Sequence, residues 1–212
     1  MSQHQRLILV TPLCTQAKEL APALTHAMSA GRIDAVILRL GEGDDRSLIN
    51  CVKTLGPIVQ NAGAALLLAD HVHLVARAGA DGVHLSQADA CSEALDLLHP
   101  QERIVGCAGL RARHDAMEAA EQGCDYVMFG EPFADGGLMP FAAVLERGQW
   151  WAELFQTPCV AFASDLDLTT PLAETGAEFV AFGAAVLDAA EGPAAAMRLV
   201  LERLKAARRP ER

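Results

Sequence analysis

Eight short apolar runs, each followed by a segment with apolar residues at helical spacing, constrain this chain more than any single motif. The runs are Leu7–Val10, Ala35–Leu38, Leu66–Leu68, Val83–Leu85, Arg103–Cys107, Tyr126–Phe129, Cys159–Phe162 and Phe179–Phe182. They are continuous rather than alternating, which is the pattern of parallel strands covered on both faces. Three of the returns into a strand share one shape: AGADGVHL at Ala78–Leu85, QGCDYVMF at Gln122–Phe129 and TGAEFVAF at Thr175–Phe182. In each, a helix ends on Gly79, Gly123 or Gly176, an acidic residue stands two positions on, and an apolar strand begins. Glycine ends a helix in the left-handed conformation without steric cost, so the same turn is made three times. Eight strand–helix units of roughly 26 residues match a (β/α)8 TIM barrel of the α/β class, with residues 1–212 as one domain. The competing architecture is a doubly wound open sheet; against it, the first strand lacks a G-x-G-x-x-G turn.

Helices are expected over Gln16–Ala30, Leu48–Val59, the stretch between Val72 and Gly79, Ala90–Leu98, Arg111–Gln122 and Phe141–Phe155. A short helix ends at Gly176, and Val186–Ala207 is interrupted by Gly192-Pro193. His99-Pro100 is expected to close the fourth of these. In a parallel barrel the loops after the strands gather at one end, the functional mouth. That placement brings together Thr11, Arg39, Asp70, Ser86, Gln87, Asp89, residues 108–111, 131–137 and 163–165, and Gly183-Ala184-Ala185.

Asp70 and Asp89 leave two neighbouring strands at that end. Two converging carboxylates suit Mg²⁺, which takes one or two protein carboxylates and completes its shell with water or substrate phosphate. The competing reading makes Asp70 a helix cap and Asp89 a turn residue. The loops after strands seven and eight are the usual phosphate sites of such barrels, and Gly183, Ala184 and Ala185 are small enough to let a phosphate approach backbone amides.

The charge balance narrows the partners. With 17 basic against 27 acidic residues the formal net charge is −10, which argues against nucleic acid or an anionic membrane as partner. No apolar run approaches the roughly 18 residues of a membrane helix, and the start MSQHQRLILVTPL is too short in apolar residues for a leader. Six cysteines without C-x-x-C spacing read as reduced, structural thiols, and the protein as cytoplasmic. Trp150 and Trp151 are assigned to packing, Asp165 and Asp167 to loop and cap roles, and His84 to a packed strand position. His71 and His73 form an H-x-H pair without an evident third ligand.

The stretch Leu66–Asp89, with GVHLSQAD at Gly82–Asp89 and CDYVMFGEPF at Cys124–Phe133, resembles thiamine phosphate synthase and its relatives in the thiazole tautomerase branch. The resemblance implies a transferase of thiamine biosynthesis that joins an aminopyrimidine diphosphate to a thiazole phosphate, releasing pyrophosphate with Mg²⁺ present. It implies small phosphorylated heterocycles as partners and leaves a homo-oligomer open. Asp70 and Asp89 match the metal-binding aspartates, Arg39 a residue that holds the diphosphate, and Gly183 the thiazole phosphate loop. The glycine pair usual after strand seven reads Ala163-Ser164, where the Ser164 hydroxyl is a phosphate donor. Other departures are Ile37 and Gly41 around Arg39, Ala69 before Asp70, and Ala108 for a serine. The Thr-x-Thr-Lys loop after strand six reads Asp135, Gly136, Gly137 and Leu138. Exchanging a cation for Asp135, with Glu131 nearby, reverses the sign of a Coulomb interaction with diphosphate. Arg111 and Arg113 are the cations placed to compensate. The departures imply weak or lost synthase activity, with two alternatives: a barrel that binds a phosphorylated thiazole or thiamine-like ligand, or a tautomerase-like isomerase.

Overall fold

The computed structural model describes residues 6–207; the first five residues of the stretch MSQHQRLILVTPL and the last five of the expected domain 1–212 lie outside them. Eight strands form a closed barrel in sequence order: β1 (Arg6–Val10), β2 (Ala35–Leu38), β3 (Ala65–Ala69), β4 (Gly82–Leu85), β5 (Ile104–Cys107), β6 (Tyr126–Phe129), β7 (Cys159–Ala163) and β8 (Phe179–Phe182). All neighbours are parallel, and β8 closes on β1 with Leu7 opposite Val180, which excludes the open sheet. Around the barrel lie α1 (Ala17–Ser29), α2 (Asp45–Gln60), α3 (Val75–Ala78), α4 (Cys91–Leu98), α5 (Arg113–Gln122), α6 (Phe141–Leu154), α7 (Thr169–Glu174), α8 (Ala184–Leu187) and α9 (Pro193–Ala206).

Alternation along each strand divides the apolar residues into two sets. Ile8, Val10, Ile37, Leu67, Met128, Val160 and Phe162 fill the barrel, while Leu7, Leu9, Val36, Leu66, Val83 and Val105 pack outward against helices. Trp151 is fully buried, donates its indole N–H to the Thr157 carbonyl at 2.7 Å and stacks on Phe155, so its role is packing.

The repeated acidic residues have a common task at the amino-terminal end of the barrel. Asp81 accepts the Leu66 N–H at 2.7 Å, Asp125 that of Val105 at 2.7 Å, and Glu178 that of Cys159 at 3.0 Å. Asp34 does the same for Leu7 at 3.1 Å, a fourth instance that the sequence spacing hides because no glycine stands two residues before it. Each even-numbered strand is thus preceded by a carboxylate that satisfies a backbone donor at the start of the strand before it. Leaving a buried donor unpaired costs about 1–3 kcal/mol. Asp81→Ala is therefore expected to lower unfolding free energy by about that amount, measured by denaturant titration, with Asp81→Asn losing less because it keeps an acceptor.

Several element ends differ from expectation for local reasons. Helix α5 begins at Arg113, because the Asp115 carboxylate reaches back to the Ala112 N–H at 2.7 Å and leaves Arg111 in the loop. His99-Pro100 does not close α4 outright: the chain continues through one 3-10 turn, His99–Gln101, and Glu102 then takes a positive φ of 55°. The segment after β3 makes a 3-10 turn, Val72–Leu74, before α3, and Gly79 ends it at φ 77°. All six cysteines are free thiols, and burial together with the neighbouring Cys51 pushes Cys14 up to about 12.

Candidate active site

The carboxyl end of the barrel carries the residues singled out by sequence. Asp70 follows β3 directly and takes a left-handed φ of 59°, a region that Asp tolerates better than most residues. Its N–H donates to the His84 carbonyl at 2.9 Å, and its Oδ1 accepts the Ser86 N–H at 2.8 Å. Both bonds tie it to the end of β4 rather than to a helix, so the cap role does not apply. Asp89 lies three residues past Ser86, exposed, in the 3-10 turn Ala88–Ala90 that leads into α4. It lines a cavity of about 310 Å³ together with Ser86, Gly109, Arg111, Phe133 and Asp135. A larger cavity of about 590 Å³, between Asp81 and Arg103, opens at the opposite end, where it meets the strand starts just described.

Arg39 is exposed two residues beyond the inward-facing Ile37, with its N–H donating to Thr11 Oγ1 at 3.0 Å. Ser164 is exposed after β7, and Asp165 beside it caps the following turn by accepting the Asp167 N–H at 2.9 Å. Gly183 precedes α8, so Ala184 and Ala185 open a short helix. A Cβ at Gly183 would stand 3.3 Å from the Val10 carbonyl oxygen. The cations following β5 separate. Arg111 pairs with Asp135 and lies over the Phe133 ring, whereas Arg113 pairs with Glu146 and lies over Trp150 on α6, away from the cavity. His71 bonds to the Ala69 carbonyl and His73 faces Asp45, so the two do not converge.

Sequence reasoning missed the polar column at the centre of the mouth. His84, 1% exposed, places Nδ1 2.7 Å from the Tyr126 hydroxyl and Nε2 2.7 Å from Glu131 Oε2. His84 stands opposite Gly106 on β5, and Gly106 stands opposite Tyr126 on β6. A Cβ on Gly106 would fall closer than 3.0 Å to the Tyr126 ring, so that glycine is what lets the ring cross β5 to reach His84. Burial pushes Glu131 up, but the hydrogen bond from His84 and the positive charge of Arg39 hold it below the ordinary carboxylate range. Burial raises Tyr126 well above the usual phenol value, so it stays protonated. The available signal was a lone histidine and the chain's single tyrosine at inward positions of otherwise apolar strands.

A family model described as thiamine monophosphate synthase matches residues 7–186. The chain belongs to that family. The thiamine-phosphate synthase of Rhodospirillum centenum is 39% identical over 194 residues, covering 91% of this chain and 94% of that protein. That of Hyphomonas neptunium is 33% identical over 202 residues, covering 91% and 90%. Among solved structures, the thiamine phosphate pyrophosphorylase of Pyrococcus furiosus superposes with a TM-score of 0.79 at 21% identity, covering 96% of this chain and 97% of that one, a likeness of fold. The chain is thus thiamine-phosphate synthase-like, a transferase-type barrel of thiamine biosynthesis. Among the described residues no helix is long and apolar enough to cross a membrane.

Proposed function

We propose that this chain, as one cytoplasmic domain over residues 1–212, joins an aminopyrimidine diphosphate to a thiazole phosphate with release of pyrophosphate. What supports the reading is that Asp70, Asp89, Arg39 and Gly183 all stand in loops after strands, at the carboxyl end of a barrel of this family. Asp70 and Asp89 are the residues that would hold Mg²⁺. Among the described residues no three His, Cys, Asp or Glu side chains cluster as a complete metal cage. Two exposed carboxylates, one with Oδ1 fixed by the Ser86 N–H and Oδ2 left to coordinate, fit an ion that draws its remaining oxygens from diphosphate and water. Bound there, Mg²⁺ would supply positive charge to the departing pyrophosphate.

The chain's own groups do the rest. Arg39 holds the diphosphate, while Ser164 and the amides of Ala184 and Ala185 take the thiazole phosphate. The C–O bond to pyrophosphate breaks, a pyrimidine cation forms, and the thiazole nitrogen supplies the electron pair of the new C–N bond. Of the carboxylates near the diphosphate, Asp135 is paired with the Arg111 guanidinium, and Glu131 accepts a hydrogen bond from His84. Asp135 is nevertheless unable to replace a cation. Purified protein with both substrates and Mg²⁺ is therefore expected to form thiamine phosphate slowly, at a rate a chelator removes. Absence of product under those conditions would overturn the catalytic reading and leave a ligand-binding barrel.

A further inference from the structure

The polar column of Tyr126, His84 and Glu131 goes beyond what metal and phosphate binding require. Among the described residues the barrel interior is otherwise apolar, and His84 is its one buried histidine. A buried polar group is costly unless fully paired, and a buried charge more so. The column meets that condition everywhere except at its outer end.

Proton counting fixes its state. Ionised Glu131 can only accept, so the proton in the His84–Glu131 bond sits on Nε2. A neutral ring then leaves Nδ1 as acceptor for the Tyr126 O–H, and every proton in the column has a partner. An imidazolium would donate from both nitrogens and strand the phenol proton in a site where Tyr126 is 6% exposed and bonds to no other acceptor. The column is therefore a donor chain that ends on one carboxylate, with net charge −1. His84 takes Oε2; among the described residues Oε1 has no protein partner, and it is not sealed from solvent, because the only buried unpaired side-chain polar atom among those residues is Nε of Arg103.

A fixed, anionic acceptor at the floor of the mouth repels phosphate, which the cations Arg39 and Arg111 attract instead. What suits Oε1 is an N–H donor on the heterocycle itself. We propose that Glu131, positioned by His84 and Tyr126, accepts a hydrogen bond from the exocyclic amine of the aminopyrimidine and makes this chain select an amino-heterocycle over its oxo counterpart. The assignment rests on the synthase-type reading of the mouth. An oxo group would set lone pairs against the carboxylate and leave Oε1 unpaired. Sites built around such a bond reject analogues that lack the donor far more strongly than apolar pockets reject a missing methylene.

The test is calorimetric binding, with Mg²⁺, of the aminopyrimidine diphosphate and its 4-oxo analogue to wild type and to Glu131→Gln. Wild type is expected to favour the amine by ~100-fold or more, and the variant, whose amide offers a donor as well as an acceptor, by less than ~10-fold. Tyr126→Phe, which removes the donor to Nδ1 but touches no ligand, should narrow the preference partially. If Glu131→Gln fails to fold, Glu131→Met gives the same readout with the charge removed. Equal discrimination by wild type and variant, or none in wild type, would overturn the assignment. Binding of thiazole phosphate, run in parallel, separates the two levels. Its absence in wild type sinks the synthase-type reading, whereas its retention without amine selectivity sinks Glu131 alone.

Discussion

Asp70→Asn and Asp89→Asn are each expected to abolish Mg²⁺-dependent binding of the aminopyrimidine diphosphate while leaving the barrel folded. Asparagine is the informative replacement at position 70. It tolerates the φ of 59° found there, whereas alanine would strain the backbone, and its Oδ1 can still accept the Ser86 N–H that joins β3 to β4. The substitution therefore removes charge and coordination without removing the structural bond. Loss of a residue that merely hydrogen-bonds a metal ligand weakens metal sites by about 10–100-fold, so loss of one of two coordinating carboxylates should exceed the upper figure. Titration of the diphosphate with and without Mg²⁺ measures it. Both variants binding the diphosphate as wild type does, with the same Mg²⁺ dependence, would remove Asp70 and Asp89 from the metal site. Asp81→Asn is the control, since that carboxylate serves the opposite end of the barrel.

The barrel was legible because its cause is periodic. Continuous apolar runs, helices ended by glycine and acidic residues before strands recur along the chain, and each recurrence reports the same physical need. The alignment of Asp70 with Asp89 followed from topology alone, since parallel strands deliver successive loops to one end. The partners of those loops were not legible. Whether Asp135 faces a substrate or Arg111 depends on where α5 starts, and that is decided by Asp115 reaching back to Ala112. Glu131 reads as an obstacle to diphosphate while it is only a letter near Asp135. It becomes part of a paired column once β4 and β6 are known to stand on either side of β5. His84 is the instructive case: a strand histidine reads as packing, and it is packed, but packed against two polar groups 42 and 47 residues away in sequence. No local period carries information about such separations.

Gly106 shows what that long-range arrangement costs to disturb, and Gly106→Ala should destabilise the barrel strongly. A Cβ there would overlap the Tyr126 ring at Cζ, Cε1 and the hydroxyl oxygen at once, all closer than 3.0 Å. The ring cannot retreat freely, because Tyr126 is 6% exposed among Ile8, Met128 and other interior residues, and moving it breaks the bond to His84. Overpacking a core typically costs 1–3 kcal/mol, and stranding a buried donor about 1–3 kcal/mol more. A loss of roughly 2–6 kcal/mol is expected, a fall in melting temperature on the order of 5–20 °C for a chain of this size. The three nearest atoms all belong to Tyr126, which makes the clash separable from any general intolerance of β5. In a Tyr126→Ala background the space above Gly106 is empty, and adding Gly106→Ala should then cost less than about 1 kcal/mol. Equal costs in the two backgrounds would mean that the glycine is needed for its backbone and not for the ring. A small cost in the double variant would mean that β5 carries a glycine because β4 and β6 place a histidine and a tyrosine on either side of it.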